Sequence, residues 1–134
     1  MSDSVIHVVA GIIWSQDKSQ ILITQRPKHL HKGGYWEFPG GKVEPLESCE
    51  AALARELFEE LAICFTSECF FQSIQFDYPE KTVKIDFYEV FDLLSEPSPQ
   101  EQQDMCWVSV SELGQYAFPE ANQAVVTNLM QSKG

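Results

Sequence analysis

Gly41–Ile63 reads GKVEPLESCEAALARELFEELAI, and the placement of charge in this stretch decides both fold and chemistry. Glu47, Glu56, Glu59 and Glu60 gather around a single Arg55, on a short helix that follows a Gly-Gly turn. Six of the chain's twenty acids fall between Glu44 and Glu60, and Arg55 is the only base there. A helix surface that had only to be soluble would mix Lys with Glu, because like charges four residues apart repel. Glu56 and Glu60 are such a pair, at a cost of roughly 0.2–0.5 kcal/mol on an isolated helix. A divalent cation is the natural compensation, since hard cations take carboxylate oxygens and Mg²⁺ shares them with substrate phosphates.

The helix itself is legible. Ser48 is suited to the N-cap, and Glu47 and Glu50 suit the positive end of the dipole. Ala51, Ala54, Phe58 and Leu61 recur at three- and four-residue spacing with Leu53 and Leu57 beside them, which predicts a core-facing stripe. Arg55, Glu56, Glu59 and Glu60 take the remaining arc.

Outward from the helix, Val5–Trp14 and Gln20–Gln25 are β-rich runs joined by a turn at Gln16–Ser19, and they predict a hairpin. Gly11 marks a bulge or a close approach. Arg26–Tyr35 reads as a surface loop, and Trp36–Phe38 as a short strand before a turn at Pro39–Gly41. Phe70–Phe76 and Thr82–Leu93 are two more strands around a turn at Asp77–Lys81. The alternation over Val83–Phe87 predicts one wet face. Ser95–Asp104 is a polar loop, Met105–Val108 a last short strand, and Ser111–Leu113 a helical turn. Pro119–Met130 is a terminal helix, with Ala121, Val125 and Leu129 spaced by four. Strands with two intervening helices predict an α/β fold with a mixed sheet between helical layers.

Composition narrows the function. The 134 residues suit one domain, 1–134, and 44% of them are hydrophobic. No apolar run approaches the ~20 residues of a membrane span. The first residues lack the basic and small-residue signature of a signal peptide, so a cytoplasmic location is expected. A net charge of −11 argues against polymeric DNA or RNA as partner but leaves room for a small nucleotide whose phosphates are bridged by metal. Cys49, Cys64, Cys69 and Cys106 form no CxxC and no recognisable zinc spacing, so they read as free thiols. Four of the nine bases (Arg26, Lys28, Lys32 and Lys42), with His29 and His31, lie between residues 26 and 42, opposed only by Glu37. This basic patch beside the carboxylates predicts contact with phosphates. His29 and His31, two apart, have weak metal spacing.

The central stretch fits G-x5-E-x7-R-E-U-x-E-E-x-G-U, with U aliphatic, through Gly41, Glu47, Arg55, Glu56, Leu57, Glu59, Glu60 and Ile63. On these residues the chain resembles the Nudix hydrolase family. One position departs, with Ala62 where the family has glycine. That residue follows the helix, where a left-handed cap favours Gly, and with a positive φ Ala there costs of order 1 kcal/mol. The segments ILITQR, WEFPGGK, DYPE and FPEANQAVVTNLM extend the resemblance over nearly the whole chain, to the MutT branch, which hydrolyses oxidised guanine nucleotides.

The resemblance implies an α/β/α sandwich and a set of roles. Glu56, Glu59 and Glu60 correspond to metal-binding glutamates, with Glu56 also a candidate to activate water and the Gly40 carbonyl joining the metal shell. Arg55 and Glu47 correspond to an orienting ion pair. Glu101 corresponds to a distant loop glutamate acting as metal ligand or base. Asn122 corresponds to an asparagine reading the purine edge, and Phe38 to a residue whose backbone faces the base. Tyr78 corresponds to an aromatic of the nucleoside pocket, and Arg26 to an arginine near the phosphates. With Glu37, Lys28 and Lys32 these complete the expected substrate contacts. Mg²⁺, with Mn²⁺ as substitute, is the implied cofactor, a nucleoside triphosphate the implied partner and a monomer the implied state. The implied reaction turns 8-oxo-dGTP into 8-oxo-dGMP and pyrophosphate. CTP, damaged pyrimidine nucleotides and ADP-ribose are alternative substrates. Pro79, sixteen residues past Ile63, occurs in ADP-ribose hydrolases and MutT proteins alike. A non-catalytic Nudix module is the third reading, disfavoured because every box carboxylate is present.

Overall fold

The computed structural model describes residues 5–29 and 33–132. Seven strands and two helices are found among them. The strands are β1 (Val5–Trp14), β2 (Gln20–Gln25), β3 (Trp36–Glu37), β4 (Gly40–Lys42), β5 (Phe65–Tyr78), β6 (Lys81–Leu93) and β7 (Asp104–Ser109). The helices are α1 (Cys49–Leu61) and α2 (Gln123–Ser132), the latter preceded by a 3₁₀ turn at Glu120–Asn122. The strands form one mixed sheet in the order β3-β2-β1-β6-β5, with β4 also on β1 and β7 also on β2. Among the described residues only β1 and β6 run parallel; the other pairs are antiparallel.

One edge of β1 is shared between two partners, and this division places the site. Its end pairs with β2 through Ile13 and Trp14, and its middle pairs with β4 through Val8, Val9 and Ala10. Gly11 sits between them and donates its N–H to the Pro39 carbonyl at 2.7 Å. A Cβ on Gly11 would come within 3.3 Å of Leu57 and 3.4 Å of Leu53, so glycine lets α1 close onto the sheet.

Helical layers cover both faces. On one, Val9, Ile13, Leu22, Tyr88 and Val90 pack against Ala52, Leu53, Leu57 and Leu61 of α1. On the other, Ala10, Ile12, Ile21, Ile23 and Phe87 pack against Phe118 and against Val125, Val126 and Leu129 of α2. Each fully buried leucine contributes about 1.5–3 kcal/mol of transfer free energy. The α/β/α sandwich with a mixed sheet is therefore the observed fold.

The local differences from expectation have physical reasons. The buried stripe of α1 is Ala52, Leu53, Leu57 and Leu61, whereas Ala51, Ala54 and Phe58 are exposed. The helix is turned so that its three leucines at four-residue spacing, rather than its aromatic, meet the sheet. Gly40 and Gly41 belong to a strand, not a turn, pairing with Ala10 and Val9 of β1; they are glycines because a Cβ at Gly40 would overlap the Val9 carbonyl and one at Gly41 the Glu56 carboxyl. β5 begins at Phe65 rather than Phe70; as an edge strand its first residues are largely exposed, so no apolar run marks them. The wet face of β6 ends at Lys84, and Asp86 and Glu89 are buried. They are satisfied there by His7 at 2.7 Å and by the Trp14 indole N–H at 3.0 Å. No helix among the described residues is long and apolar enough to cross a membrane.

Candidate active site

Both ends of α1 are fixed by the residues around them. Ser48 caps the N-terminus, its Oγ accepting from the Ala51 N–H at 3.0 Å. At the other end Ala62 adopts the left-handed conformation (φ 56°, ψ 35°), and its N–H reaches the Phe58 carbonyl at 2.9 Å. The loop between β6 and β7 then satisfies the last carbonyls of the helix, which have no partner within it. Ser98 N–H donates to Leu61 O at 2.9 Å and Gln100 N–H to Glu60 O at 2.9 Å. The Gln103 side-chain amide adds a second bond to Glu60 O at 3.2 Å. This lacing carries Glu101 to the end of the helix where Glu60 stands.

Arg55 organises the outer part of the site. Its Nε and Nη2 donate to the two oxygens of Glu47 at 2.9 Å each. Nη2 also reaches the Lys42 carbonyl, and Nη1 reaches Glu56 Oε2, both at 3.0 Å. Glu59 lies 3.5 Å from Nη1 and stays exposed. The fork holds the Glu47 carboxyl at about 2, helped by the Glu44 N–H, against an ordinary 4.5. One guanidinium thus ties the loop before the helix, strand β4 and the helix carboxylates into one frame.

Inside that frame is a cluster of carboxylates with too little positive charge. Glu60 is pushed far above the usual carboxylate range, first by burial, then by its hydrogen bond to Glu56 and the charges of Glu56, Glu101 and Glu37. A carboxyl–carboxylate hydrogen bond requires a proton between the two groups. Glu37 is raised as well, again chiefly by burial and partly offset by Arg26, whose Nη1 is 3.5 Å away. The donor set at this point consists of oxygens only. A divalent hard cation fits it, replacing the shared proton and relieving the repulsion.

The cluster faces a cleft of about 330 Å³. Its lining includes the charged or polar Arg26, Glu37, Lys42, Glu60, Glu101 and Asn122, the glycines Gly40 and Gly41, and the apolar Val8, Ala10, Phe38 and Ile85. Arg26, Glu37, Glu60 and Glu101 also line a neighbouring cleft of about 310 Å³, with His29 and Gln103. The Phe38 ring stacks on Phe118 at 5.2 Å and meets Phe87 edge-on at 5.9 Å, so its side chain serves the core. Asn122, 9% exposed, is held by its N–H to the Pro119 carbonyl at 2.9 Å.

Most of the residues singled out in the sequence therefore converge. Arg26, Glu37, Phe38, Gly40, Glu60, Glu101 and Asn122 line one cleft. Glu56 adjoins it through Gly41 and Glu60, and Arg55 pairs with Glu47, Glu56 and Glu59. Tyr78 does not join them. It ends β5 at the hairpin turn, packed on Phe76 with ring centres 4.7 Å apart. Lys28 is exposed and lines neither cleft, and Lys32 and His31 lie outside the described residues. Gln103 carried no signal in the sequence, being one of several glutamines in a polar loop.

A sequence model of the NUDIX domain matches residues 9–128. An 8-oxo-dGTP diphosphatase of Haemophilus influenzae is 38% identical over 130 residues, covering 97% of this chain and 95% of that protein. A CTP pyrophosphohydrolase of Escherichia coli K12 is 39% identical over 117 residues, covering 87% and 85%. A solved MutT structure, from work on Aliivibrio salmonicida and Vibrio cholerae, superposes with a TM-score of 0.84 at 46% identity, covering 96% of this chain and 98% of that one. The chain belongs to the NUDIX family of hydrolases. Its similarity to 8-oxo-dGTP diphosphatases runs over nearly its full length.

Proposed function

We propose that this protein, a single catalytic domain over residues 1–134, is a cytoplasmic, monomeric, Mg²⁺-dependent pyrophosphohydrolase. It converts 8-oxo-dGTP to 8-oxo-dGMP and pyrophosphate, clearing the nucleotide pool of a mutagenic precursor. The observation that carries this reading is the carboxylate cluster in which Glu60, Glu101 and Glu37 line the same cleft as Asn122, with Glu56 hydrogen-bonded to Glu60.

Glu56, Glu59, Glu60 and Glu101, with the Gly40 carbonyl, would hold the cation, which when bound neutralises polyphosphate charge and acidifies water. Mn²⁺ would serve in place of Mg²⁺. Arg55 and Glu47 keep the helix carboxylates in register, so that little reorganisation is needed when substrate arrives. Glu56 accepts the proton of the attacking water, its other partner being the Arg55 guanidinium. Arg26, paired with Glu37, turns toward the phosphates, and the basic sequence pattern of residues 26–42 supports Lys28 and Lys32 as further phosphate contacts. Val8, Ala10 and Ile85 supply an apolar seat for the base, and the Asn122 amide reads its edge with the Phe38 main chain. Tyr78 is left to hairpin packing.

Hydrolysis of 8-oxo-dGTP in ¹⁸O-labelled water tests this account. Attack at the β-phosphorus puts the label in pyrophosphate and leaves the monophosphate unlabelled. Label in the monophosphate would overturn the assigned point of attack, and an absence of turnover would overturn the reading. A second reading, a CTP pyrophosphohydrolase, is favoured by the 39% identity to the Escherichia coli protein. It would use the same carboxylates with different base contacts.

A further inference from the structure

On the α1 face of the sheet, beside the first turn of the helix, three side chains of different chemistry point their donor atoms at one spot. His7 Nε2 lies 2.7 Å from Asp86 Oδ2. Cys49 Sγ lies 3.6 Å from the same His7 nitrogen and 3.5 Å from the same Asp86 oxygen. His7 is on β1, Asp86 on β6 and Cys49 is the first residue of α1, so the group joins three elements. Cys49 precedes Glu56 by seven residues, about 10 Å along the helix axis, so the group is separate from the carboxylate cleft.

The arrangement is not that of a nucleophilic triad. In such a triad the carboxylate holds one ring nitrogen of the histidine and the nucleophile meets the other. Here thiol and carboxylate converge on the same nitrogen, Nε2. Convergence of S, N and O donors on one point is what a tetrahedral metal site provides. With ion–sulfur and ion–nitrogen distances of about 2.3 and 2.0–2.1 Å, the S···N edge of a zinc tetrahedron is about 3.5 Å. Both sulfur edges already have that length, and only the His7–Asp86 edge, closed by a hydrogen bond, must widen by about 0.6 Å.

We propose that His7, Cys49 and Asp86 form a second metal site that takes one zinc-class ion and clamps β1, β6 and the start of α1 together. A thiolate–imidazole–carboxylate set selects Zn²⁺ or Co²⁺ over Mg²⁺, so the two sites of the molecule differ in the metal they take. The ion replaces the thiol proton, which leaves to solvent, and the imidazole binds through Nε2 with its proton on Nδ1. Supporting contacts are present: Ser73 hydrogen-bonds Asp86, and the Tyr88 hydroxyl beside Cys49 donates to Glu50 at 3.2 Å. The His7 side chain is 34% exposed, which leaves an entry path. The fourth position is open to water.

The test is a Co²⁺ titration of the whole protein in excess Mg²⁺, which keeps the carboxylate cleft filled. A thiolate-to-cobalt absorption band in the near ultraviolet, saturating at one equivalent, is expected. It should vanish in Cys49→Ser and in His7→Ala and persist in the Cys64→Ser, Cys69→Ser double variant, whose positions are exposed. Zn²⁺ should abolish the band by competition. No band in the unaltered protein, or one that survives Cys49→Ser, would overturn the proposal.

Discussion

Gln103 bridges Glu60 and Glu101. Its Nε2 donates to the Glu60 carbonyl at 3.2 Å, and its Oε1 accepts from the Glu101 N–H at 2.9 Å. Gln103 is 9% exposed, and both bonds are partly buried. Glu60 and Gln103 are 43 residues apart in sequence, and this side chain joins the main-chain bonds of Ser98 and Gln100 in setting the spacing of helix end and loop. Gln103→Ala should therefore loosen the Glu101 carboxylate without removing a ligand. Partners of this outer kind cost roughly 10–100-fold in metal affinity or activity when lost. The Mg²⁺ concentration for half-maximal rate should rise by about that factor, and saturating Mg²⁺ should restore most of kcat. An unchanged Mg²⁺ dependence would mean that the loop is held by Ser98 and Gln100 alone.

Arg55→Lys keeps the charge but not the fork. Lysine can satisfy one of the four contacts that Arg55 makes to Glu47, Glu56 and the Lys42 carbonyl, and its donors do not match both oxygens of Glu47. We expect kcat/KM to fall by roughly 10–100-fold with little change in fold. Acid stability should change too. Arg55 holds Glu47 at about 2 against an ordinary 4.5, so the pair stabilises the fold fully above pH 4.5 and loses that effect as pH falls toward 2. The acid-unfolding midpoint, followed by circular dichroism, should move to higher pH in Arg55→Lys.

Glu60 gives the opposite sign. Its folded-state value is raised, so between the ordinary 4.5 and that raised value the native protein binds a proton that the unfolded chain does not. Stability of the metal-free protein should then fall as pH rises through this window. A cation favours the ionised form and removes the penalty. Mg²⁺ should thus raise Tm by more at pH 8 than at pH 5.5, and Glu60→Gln should abolish most of that difference. Equal Mg²⁺ shifts at both pH values would contradict the assigned protonation.

Ala62 holds a left-handed conformation at φ 56°. An L-residue there costs about 1–2 kcal/mol, and glycine gives back part of the gain through a more flexible unfolded chain. Ala62→Gly should stabilise by about 1 kcal/mol, or about 4 °C in Tm. Activity should stay unchanged, since Ala62 lines neither cleft of the site.

The chemistry was more legible in the sequence than the geometry. Glu47, Arg55, Glu56, Glu59 and Glu60 are local to one helix and its lead-in loop, so spacing alone groups them. Glu101 and Asn122 could be named only through a family pattern, because the contacts that bring them in run through Gln103 and the Pro119 carbonyl, which leave no periodic trace. The phase of α1 does not follow from hydrophobicity, because Phe58 is the largest apolar residue on the helix and yet is exposed, while Ala52 is fully buried. Hydrophobicity does not reveal which face the glycine at position 11 admits. The pairing of Gly40–Lys42 with β1 was hidden for a related reason: two glycines suggest a turn, and only the packed structure shows that a Cβ has no room there. The group formed by His7, Cys49 and Asp86 has no sequence motif, since parallel pairing of β1 with β6 creates it.

The measurement that tests the account most directly is kcat/KM in Mg²⁺ for 8-oxo-dGTP against dGTP, CTP and ADP-ribose, with products identified. A preference of at least about 100-fold for 8-oxo-dGTP over dGTP is expected, as a site built on hydrogen bonds to the base can deliver. The products should be 8-oxo-dGMP and pyrophosphate. Asn122→Ala should erase that preference while sparing the slow hydrolysis of dGTP. A higher kcat/KM for CTP or ADP-ribose would contradict the account of the base seat and leave the carboxylate frame around Arg55 standing.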